Sequence, residues 1–311
     1  MREKEKIIAI GALGGSGTRA LTNLFITAGV YMGDDLNPPN DNLAFTRLLK
    51  NPEWYRNATT EEIMERLDLF ECYMNPNKLN IKKCINIIKY SMHSQGNKRN
   101  RVNRIKTILT TGLAYSRLIH KLIARREQHD LWGWKEPNTQ IYIDELMTHF
   151  PDLKYIHLIR HGLDMAFSKN QQQLKNWGWK YGIKINPNDS HDEKAFKQLE
   201  YWICSTRDVL ETLKKYPGRC LVINHSNLCA EPQRCVEKII KFCNLDVSEE
   251  ITKQLFEIPK KTNSDQRYLT YNTNIFSKAQ LDCVRNLGFT IKSDNIRDIE
   301  TEFQKKALAF N

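Results

Sequence analysis

The stretch KIIAIGALGGSGTRALTNLFITA, residues 6–28, decides the fold of this chain. Its first part (6–13) is a β-rich apolar run that leads into a cluster of glycines. Its last part (18–28) has apolar residues at helical spacing and stops at Gly29. The order predicted is strand, glycine-rich loop, helix. Backbone N–H groups and the positive end of the helix dipole make such a loop suited to an anion.

The alternation of strands and helices continues along the chain. Further strands are predicted at residues 131–136, 154–160 and 219–225, and helices from Asn138 to Phe150, from Gly162 to about Leu174, over 192–215 and from Glu231 to about Phe242. Strands that alternate with helices are typical of a parallel sheet covered on both faces. The fold class predicted is therefore α/β, a three-layer parallel sheet with a P-loop-type phosphate-binding loop.

A basic, helical segment at about residues 60–128 interrupts this alternation. Between Cys72 and Arg126 there are thirteen Lys or Arg residues and no Asp or Glu, so the formal charge of +11 comes from this block. We predict a single domain over residues 1–311 in which the segment is a helical insertion that acts as a lid. The non-enzyme alternative is a nucleic-acid-binding module with steeply salt-dependent oligonucleotide binding; we do not favour it.

The composition indicates a globular chain and excludes some classes of protein. Of the 311 residues 41% are hydrophobic, and no stretch reaches the roughly 18 apolar residues that a membrane-spanning helix requires. We therefore expect neither a transmembrane segment nor a signal peptide. The eight cysteines form no CxxC pair, and the spacing of Cys229, Cys235 and Cys243 is wrong for zinc. Reduced thiols in the cytoplasm and no metal are expected.

The glycine-rich loop GALGGSGTR (11–19) does not have the form GxxxxGK[ST] that nucleotide kinases use. Ser16 stands where the second glycine of that form belongs, and no lysine follows Gly17. A nucleotide or small-molecule kinase is therefore the second enzyme hypothesis rather than the first. A tight turn that binds no ligand is the structural alternative.

A dinucleotide fingerprint is a third interpretation of the same loop. Gly15, Gly17 and Ala20 have the G-x-G-x-x-A spacing. Asp34 or Asp35, after a short Val-Tyr-Met strand, would then receive the ribose hydroxyl. This hypothesis predicts NADP-linked oxidoreduction.

A second motif, YIHLIRHGLDMAFS (155–168), decides between these hypotheses. Arg160 ends a predicted strand, a turn at Gly162 follows, and Ser168 lies on the next predicted helix. Ligands of open parallel sheets bind at the carboxyl ends of the strands. A guanidinium and a hydroxyl in these positions can be directed at one phosphate. A surface ion pair is the alternative for Arg160.

The phosphate loop and the later Arg-x7-Ser resemble those of sulfotransferases that use 3′-phosphoadenosine 5′-phosphosulfate (PAPS). The resemblance covers roughly residues 5–30 and 130–245, and the loop is closer to that of microbial and carbohydrate-type members. It implies PAPS as co-substrate, 3′,5′-ADP as product, no metal, and a small-molecule or saccharide acceptor with a hydroxyl group. It assigns the 3′-phosphate to Arg160 and Ser168, and the 5′-phosphosulfate to Gly14, Gly15, Ser16, Gly17, Thr18 and Arg19.

The chain also departs from the family's pattern. The family commonly has Lys or Arg where this loop has Gly15, so Arg19 or Lys135 is expected to neutralise the bridging oxygen. The family's Tyr-Glu pair after the fourth strand is replaced by His225 and Ser226. Its Gly-x-x-Gly-x-Trp-Lys segment is not visible, and Arg267 is a conjectural substitute.

A general base has to take the proton of the acceptor's hydroxyl group. Glu136 is our hypothesis, because it follows Lys135 at a strand end where the family places a lysine near the sulfuryl group. A carboxylate that merely begins a helix is the equal alternative. Asp41, His161 and His225 are further candidates. The predicted catalytic residues are thus Glu136, Lys135 and Arg19.

Overall fold

The computed structural model describes residues 5–76, 79–93, 112–113, 115–117, 119–120, 129–262 and 264–291. Its named strands are β1 (Lys6–Ala12), β2 (Leu131–Lys135), β3 (Lys154–Ile159) and β4 (Cys220–Asn224). They form one sheet in the order β2-β1-β3-β4, and all three pairings are parallel. This confirms the predicted sheet. The Val-Tyr-Met strand is reduced to one bridge between Tyr31 and Trp132.

The α-helices with described bounds follow the chain in this order: α1 (Thr18–Thr27), α2 (Leu43–Leu49), α3 (Pro52–Tyr55), α4 (Thr60–Met74), α5 (Ile81–His93), α6 (Ile143–His149), α7 (Gly162–Ala166), α8 (Gln172–Trp177), α9 (His191–Lys214), α10 (His225–Ala230), α11 (Pro232–Cys243), α12 (Glu249–Phe256) and α13 (Lys278–Asn286). Short 3-10 helices lie at Pro137–Tyr142, Gly178–Tyr181, Arg267–Thr270 and Thr273–Ile275. None of these helices combines the length and the apolar character needed to cross a membrane.

The sheet is buried on both faces, which gives the three layers predicted. Ile8 and Ile10 of β1 pack in one cluster with Phe25 of α1 and Val236 of α11. Ala9, which points the other way, belongs to a second cluster built with helices such as α2, α4, α6 and α9. Burial on both sides explains why β1 reads as a continuous apolar run.

Two predicted helix boundaries are wrong, and side-chain hydrogen bonds explain both. The helix expected from Gly162 to Leu174 stops at Ala166, because Oγ of Ser168 accepts from the Asn170 amide at 3.2 Å and Asn170 in turn accepts from the Gln172 amide. Ser168 therefore lies in the break between α7 and α8, not on a helix.

The other wrong boundary lies after β2. The first residue of the 3-10 helix is Pro137, and the carboxylate of Glu136, not the side chain of Asn138, caps it by accepting from the Asn138 amide at 2.5 Å. Helix α6 begins only at Ile143, after this 3-10 turn.

The part of the basic insertion that the structure describes is helical, as predicted. Helix α4 begins with a capping box between Thr59 and Glu62. Most of the block's cations lie outside the described residues. Two that lie inside are neutralised by carboxylates: Lys83 is 3.0 Å from Asp68 and Arg117 is 2.7 Å from Asp35.

Candidate active site

The strand order places two loops side by side at the carboxyl end of the sheet. The connection that leaves β1 runs to β2, on one side of the sheet, and the connection that leaves β3 runs to β4, on the other side. The carboxyl ends of β1 and β3 therefore flank a topological switch point. Such a point opens a crevice in which ligands of α/β proteins bind. The loop after β1 and Arg160 after β3 border this crevice.

The loop after β1 is shaped by two glycines in the left-handed region. Gly15 has φ 96° and Gly17 has φ 93°, conformations that L side chains rarely adopt. Between them the Ser16 amide donates to the carbonyl of Leu13 at 3.1 Å, which closes a tight turn. Among the described residues no side chain caps α1, and its first turn contains no acidic residue. The amides of that turn are thus suited to an anion.

Gln173 on α8 holds the start of this loop, a contact that sequence reasoning missed. Its Oε1 accepts from the Gly14 amide at 2.5 Å, and its Nε2 donates to the carbonyl of Ala12 at 3.2 Å. The Gly14 amide is therefore committed to Gln173. A glutamine eleven positions after the predicted helix start carries no pattern from which this contact could be read.

Arg160 and Ser168 meet the loop at Gly15. Nη1 of Arg160 donates to the carbonyl of Gly15 at 3.2 Å. Oγ of Ser168 lies 3.2 Å from the position that a Cβ atom on Gly15 would take. The guanidinium is almost fully buried. The structure thus brings together the two groups of residues that the sequence assigned to two phosphates.

The buried guanidinium contacts a segment made of Thr262 and residues 264–268, which we call the latch segment. Nη2 of Arg160 donates to Oγ of Ser264 at 2.9 Å and to Oδ1 of Asp265 at 2.5 Å. Asp164 on α7 anchors the segment by accepting from the amides of Gln266 and Tyr268. The sequence pointed to Arg267 here but not to Asp265, which no motif marks.

The charges around Arg160 influence one another. Partial burial alone would raise the pKa of Asp265, but its contact with His225, the Thr262 amide and the nearby Arg160 lower it to about 2. Nδ1 of His225 is 3.3 Å from Oδ1 of Asp265. Burial, followed by the charge of Arg160, lowers the pKa of Arg267. Asp265 is therefore a carboxylate at any physiological pH.

Lys135, the last residue of β2, is held in place by contacts with the segment around Asp41. Its Nζ is 2.5 Å from Oδ1 of Asp41 and 2.7 Å from the carbonyl of Pro39. Asn37 donates to the other oxygen of Asp41 at 2.8 Å. Burial lowers the pKa of Lys135 against the opposing influence of Asp41, and the charge of Arg19 lowers it further. The charge of Arg19 thus acts on the Lys135 ammonium.

Glu136 is completely enclosed and is engaged in structural contacts. Its two oxygens accept from the amide and the side chain of Asn138, whose own oxygen accepts from Trp177 at 2.7 Å. Nζ of Lys50 is 3.6 Å away. Burial raises the pKa of Glu136. These contacts are those of the helix-start carboxylate that the sequence left open as the alternative.

The comparison with family models decides the family. The model of the Sulfotransferase family matches residues 8–249, well over half of the chain. This protein belongs to the sulfotransferase family. The match includes the loop after β1 and the carboxyl ends of β2, β3 and β4, and it ends before the latch segment.

Individual relatives of this sulfotransferase are distant. The sulfotransferase domain from the curacin biosynthetic pathway is 14% identical, with a TM-score of 0.43, over 100% of this chain and 99% of that one. Retinol dehydratase, solved with retinol and PAP, is 14% identical, with a TM-score of 0.38, over 83% and 65%. An uncharacterized protein of Aquifex aeolicus (strain VF5) is 26% identical over 115 residues, 36% of this chain but only 14% of that protein.

Two further sequence hypotheses can now be compared with the sulfotransferase structure. Both oxygens of Asp35 accept from arginines, Arg47 at 2.5 Å and Arg117 at 2.7 Å, so the dinucleotide role predicted for Asp35 is not supported. Nε2 of His161 faces the carbonyl of Thr290 at 2.8 Å, and Nδ1 accepts from the Leu163 amide. His161 thus serves as a helix cap.

Proposed function

We propose that this protein transfers the sulfuryl group of PAPS to a hydroxyl-bearing acceptor and releases 3′,5′-ADP. The observation that carries the proposal is the junction at Gly15, where an amide-rich loop meets a buried arginine and a serine from another strand end. Such a junction can hold two phosphate groups of one nucleotide on either side of the loop. Membership of the sulfotransferase family supports the same conclusion.

The donor site is divided between two groups of residues. The 5′-phosphosulfate is assigned to Gly15, Ser16, Gly17, Thr18 and Arg19, mostly through backbone amides, whereas the Gly14 amide is already bonded to Gln173. The 3′-phosphate is assigned to Arg160 and Ser168. ATP lacks that phosphate, so a kinase has no use for a second, buried cation at this point. NADPH carries a ribose 2′-phosphate, so a direct comparison of 3′,5′-ADP with NADPH separates the oxidoreductase alternative. A metal is not part of the proposal.

Sulfuryl transfer resembles phosphoryl transfer, with in-line attack and charge that builds on the leaving phosphate oxygen. We assign the neutralisation of that charge to the loop amides, Arg19 and Lys135. Groups of this kind typically lower a barrier by about 3–4 kcal/mol each. The Asp41–Lys135 ion pair fixes the ammonium in place, so little reorganisation is needed during the reaction.

For the general base we favour Asp41 over Glu136. Both carboxylates accept hydrogen bonds, Asp41 from Lys135 and Asn37 and Glu136 from Asn138, but the Asp41 carboxylate beside Lys135 is 19% exposed and that of Glu136 only 1%. A base must reach the proton that it removes. Exposure and position therefore support Asp41, and Glu136 as base stays a prediction.

The remaining parts of the proposal concern the acceptor and the domain. We propose a single domain in which residues about 60–128 cover the acceptor side. Arg117 of that block pairs with Asp35, six residues before Asp41, which supports a place beside Lys135. The acceptor is a small molecule or a saccharide. Location in the cytoplasm stays a prediction from the cysteine pattern.

The experiment that tests the proposal compares ligands by thermal shift of the purified protein. Equal concentrations of 3′,5′-ADP, 5′-ADP, ATP and NADPH are added, because a ligand that binds the native state raises the melting temperature. A larger shift with 3′,5′-ADP than with 5′-ADP supports the donor site, and PAPS with a panel of sugar, phenol and steroid alcohols then tests transfer. Preference for ATP or NADPH, or no shift at all, overturns the proposal.

A further inference from the structure

Nη2 of Arg160 is fully committed within the protein, whereas the buried Nε has no hydrogen-bond partner among the described residues. Nη1 donates to the carbonyl of Gly15 at 3.2 Å. Nη2 donates to Ser264 at 2.9 Å and to Asp265 at 2.5 Å. A guanidinium has five N–H groups. Each pair of parallel N–H groups on a guanidinium includes one on Nη2, so a phosphate that binds Arg160 through two parallel bonds has to take a donor that Asp265 or Ser264 already uses.

Electrostatics leads to the same conflict. Beside Asp265, the carboxylate of Asp164 lies 4.0 Å from Nε of Arg160, so two carboxylates already face one guanidinium. The Asp265 carboxylate is 8% exposed, and water screens it little from an arriving anion. A dianionic phosphate and the Asp265 carboxylate repel each other when both contact Arg160, so they do not share Nη2.

We propose that Asp265 is an internal competitor for the 3′-phosphate of the donor nucleotide. The carboxylate and the phosphate take Nη2 of Arg160 in turn. The competition weakens the binding of 3′,5′-ADP, and the return of Asp265 to Arg160 speeds the release of this product. The inference rests on the proposed function, and it adds a residue that determines how tightly the nucleotide is held.

The surroundings allow the exchange without a rearrangement of the fold. The amides of Gln266 and Tyr268 are tied to Asp164, which keeps the latch segment in place. His225 lies on the other side of Asp265, with Nδ1 3.3 Å from Oδ1. Rotation of the Asp265 side chain toward His225 releases Nη2 and leaves the carboxylate with a polar partner.

The phosphate wins this competition because it carries more charge and more acceptor atoms than a carboxylate. A nucleotide without a 3′-phosphate leaves the Asp265–Arg160 pair intact and gains nothing from its removal. The effect of Asp265 is thus specific to one phosphate, which separates it from a general effect on folding.

The test measures the dissociation constants of 3′,5′-ADP and 5′-ADP by calorimetry for the wild type, Asp265→Asn and Asp265→Ala. When the competitor loses its charge-assisted contact with Arg160, the dissociation constant of 3′,5′-ADP is expected to fall at least about tenfold. The dissociation rate of 3′,5′-ADP in stopped flow should fall to a similar degree. The constant for 5′-ADP should change less than about twofold.

Asp189→Asn is the matched control. The Asp189 carboxylate is similarly shielded from solvent, but its ion-pair partner is Lys197, at 2.7 Å, and not Arg160. The variant should leave both constants unchanged. Melting curves verify that each variant is folded. If the wild type selects 3′,5′-ADP but neither Asp265 variant binds it more tightly, this inference is wrong and the proposed function stands. If the wild type shows no selection, the proposed function fails and the inference with it.

Discussion

Nε2 of His225 lies 2.5 Å from the position that a Cβ atom on Gly17 would occupy. The loop after β1 and the helix after β4 are therefore packed so closely that position 17 has no room for a side chain. The left-handed φ of Gly17 independently disfavours any other residue. His225 thus forms a wall of the phosphate loop, a role that its place in the sequence did not reveal.

The first prediction follows from this contact. Gly17→Ala should weaken binding of 3′,5′-ADP by more than about tenfold, because the loop has to shift by a large part of an ångström to accommodate the methyl group. Calorimetric titration measures the loss. Gly182→Ala is the control: Gly182 also has a positive φ of 72°, but a Cβ atom there meets nothing within 4 Å. Equal losses in the two variants would contradict a local effect on the loop.

The second prediction concerns the shape of the Arg160 side chain. Arg160→Lys keeps the charge but loses the planar fork that binds Gly15 and the latch segment at once. Affinity for 3′,5′-ADP should fall about 10- to 100-fold and that for 5′-ADP much less. Comparison of the two dissociation constants checks this. Arg234→Lys, in an exposed pair with Glu231, should change neither.

The third prediction separates the two candidates for the base. Asp41→Asn should lower kcat for sulfuryl transfer by about 10²- to 10⁴-fold, the usual effect of losing a general base, while 3′,5′-ADP still binds. Glu136→Gln should keep kcat within about threefold of wild type, because the amide oxygen of Gln can still cap the 3-10 helix. Steady-state kinetics at saturating PAPS decides, and the reverse pattern would restore Glu136 as the base.

Much of the fold could be predicted because a strand that is buried on both faces is a nearly continuous run of apolar residues in the sequence. Strand β3, for example, was placed within one residue of its observed bounds Lys154–Ile159, since every position of its centre is apolar or enclosed. The break at Ser168 was missed. It depends on two local hydrogen bonds in which side-chain oxygens accept from the amides of Asn170 and Gln172, and these compete with helix formation without changing the apolar spacing.

The candidate site could be predicted where a side chain follows a strand and not where it arrives from elsewhere. Arg160 and Lys135 end their strands, and the carboxyl ends of parallel strands meet at one edge of the sheet. Asp265 and Gln173 reach the same place from segments without a motif. Local sequence cannot show which distant carboxylate or amide will fold back onto a given loop.

The fourth prediction concerns pH and the buried imidazole of His157 on β3. Burial lowers the pKa of His157 from 6.5 to about 4. Between about pH 6.5 and pH 4, His157 is therefore protonated in the unfolded chain but neutral in the folded protein. The free energy of unfolding falls as pH drops through this window. Complete passage through it corresponds to roughly 3 kcal/mol from this one group.

His157→Gln should remove that contribution, because glutamine does not titrate and still offers an acceptor to the Tyr155 hydroxyl, which lies 3.0 Å from Nδ1 of His157. Urea unfolding at pH 7, 6, 5 and 4.5 gives the free energy of unfolding of both proteins. Burial also lowers the pKa of His161, so the variant should retain a shallower slope rather than none. Parallel curves for variant and wild type would mean that His157 gains its proton at the same pH in both states, in conflict with its enclosure in β3.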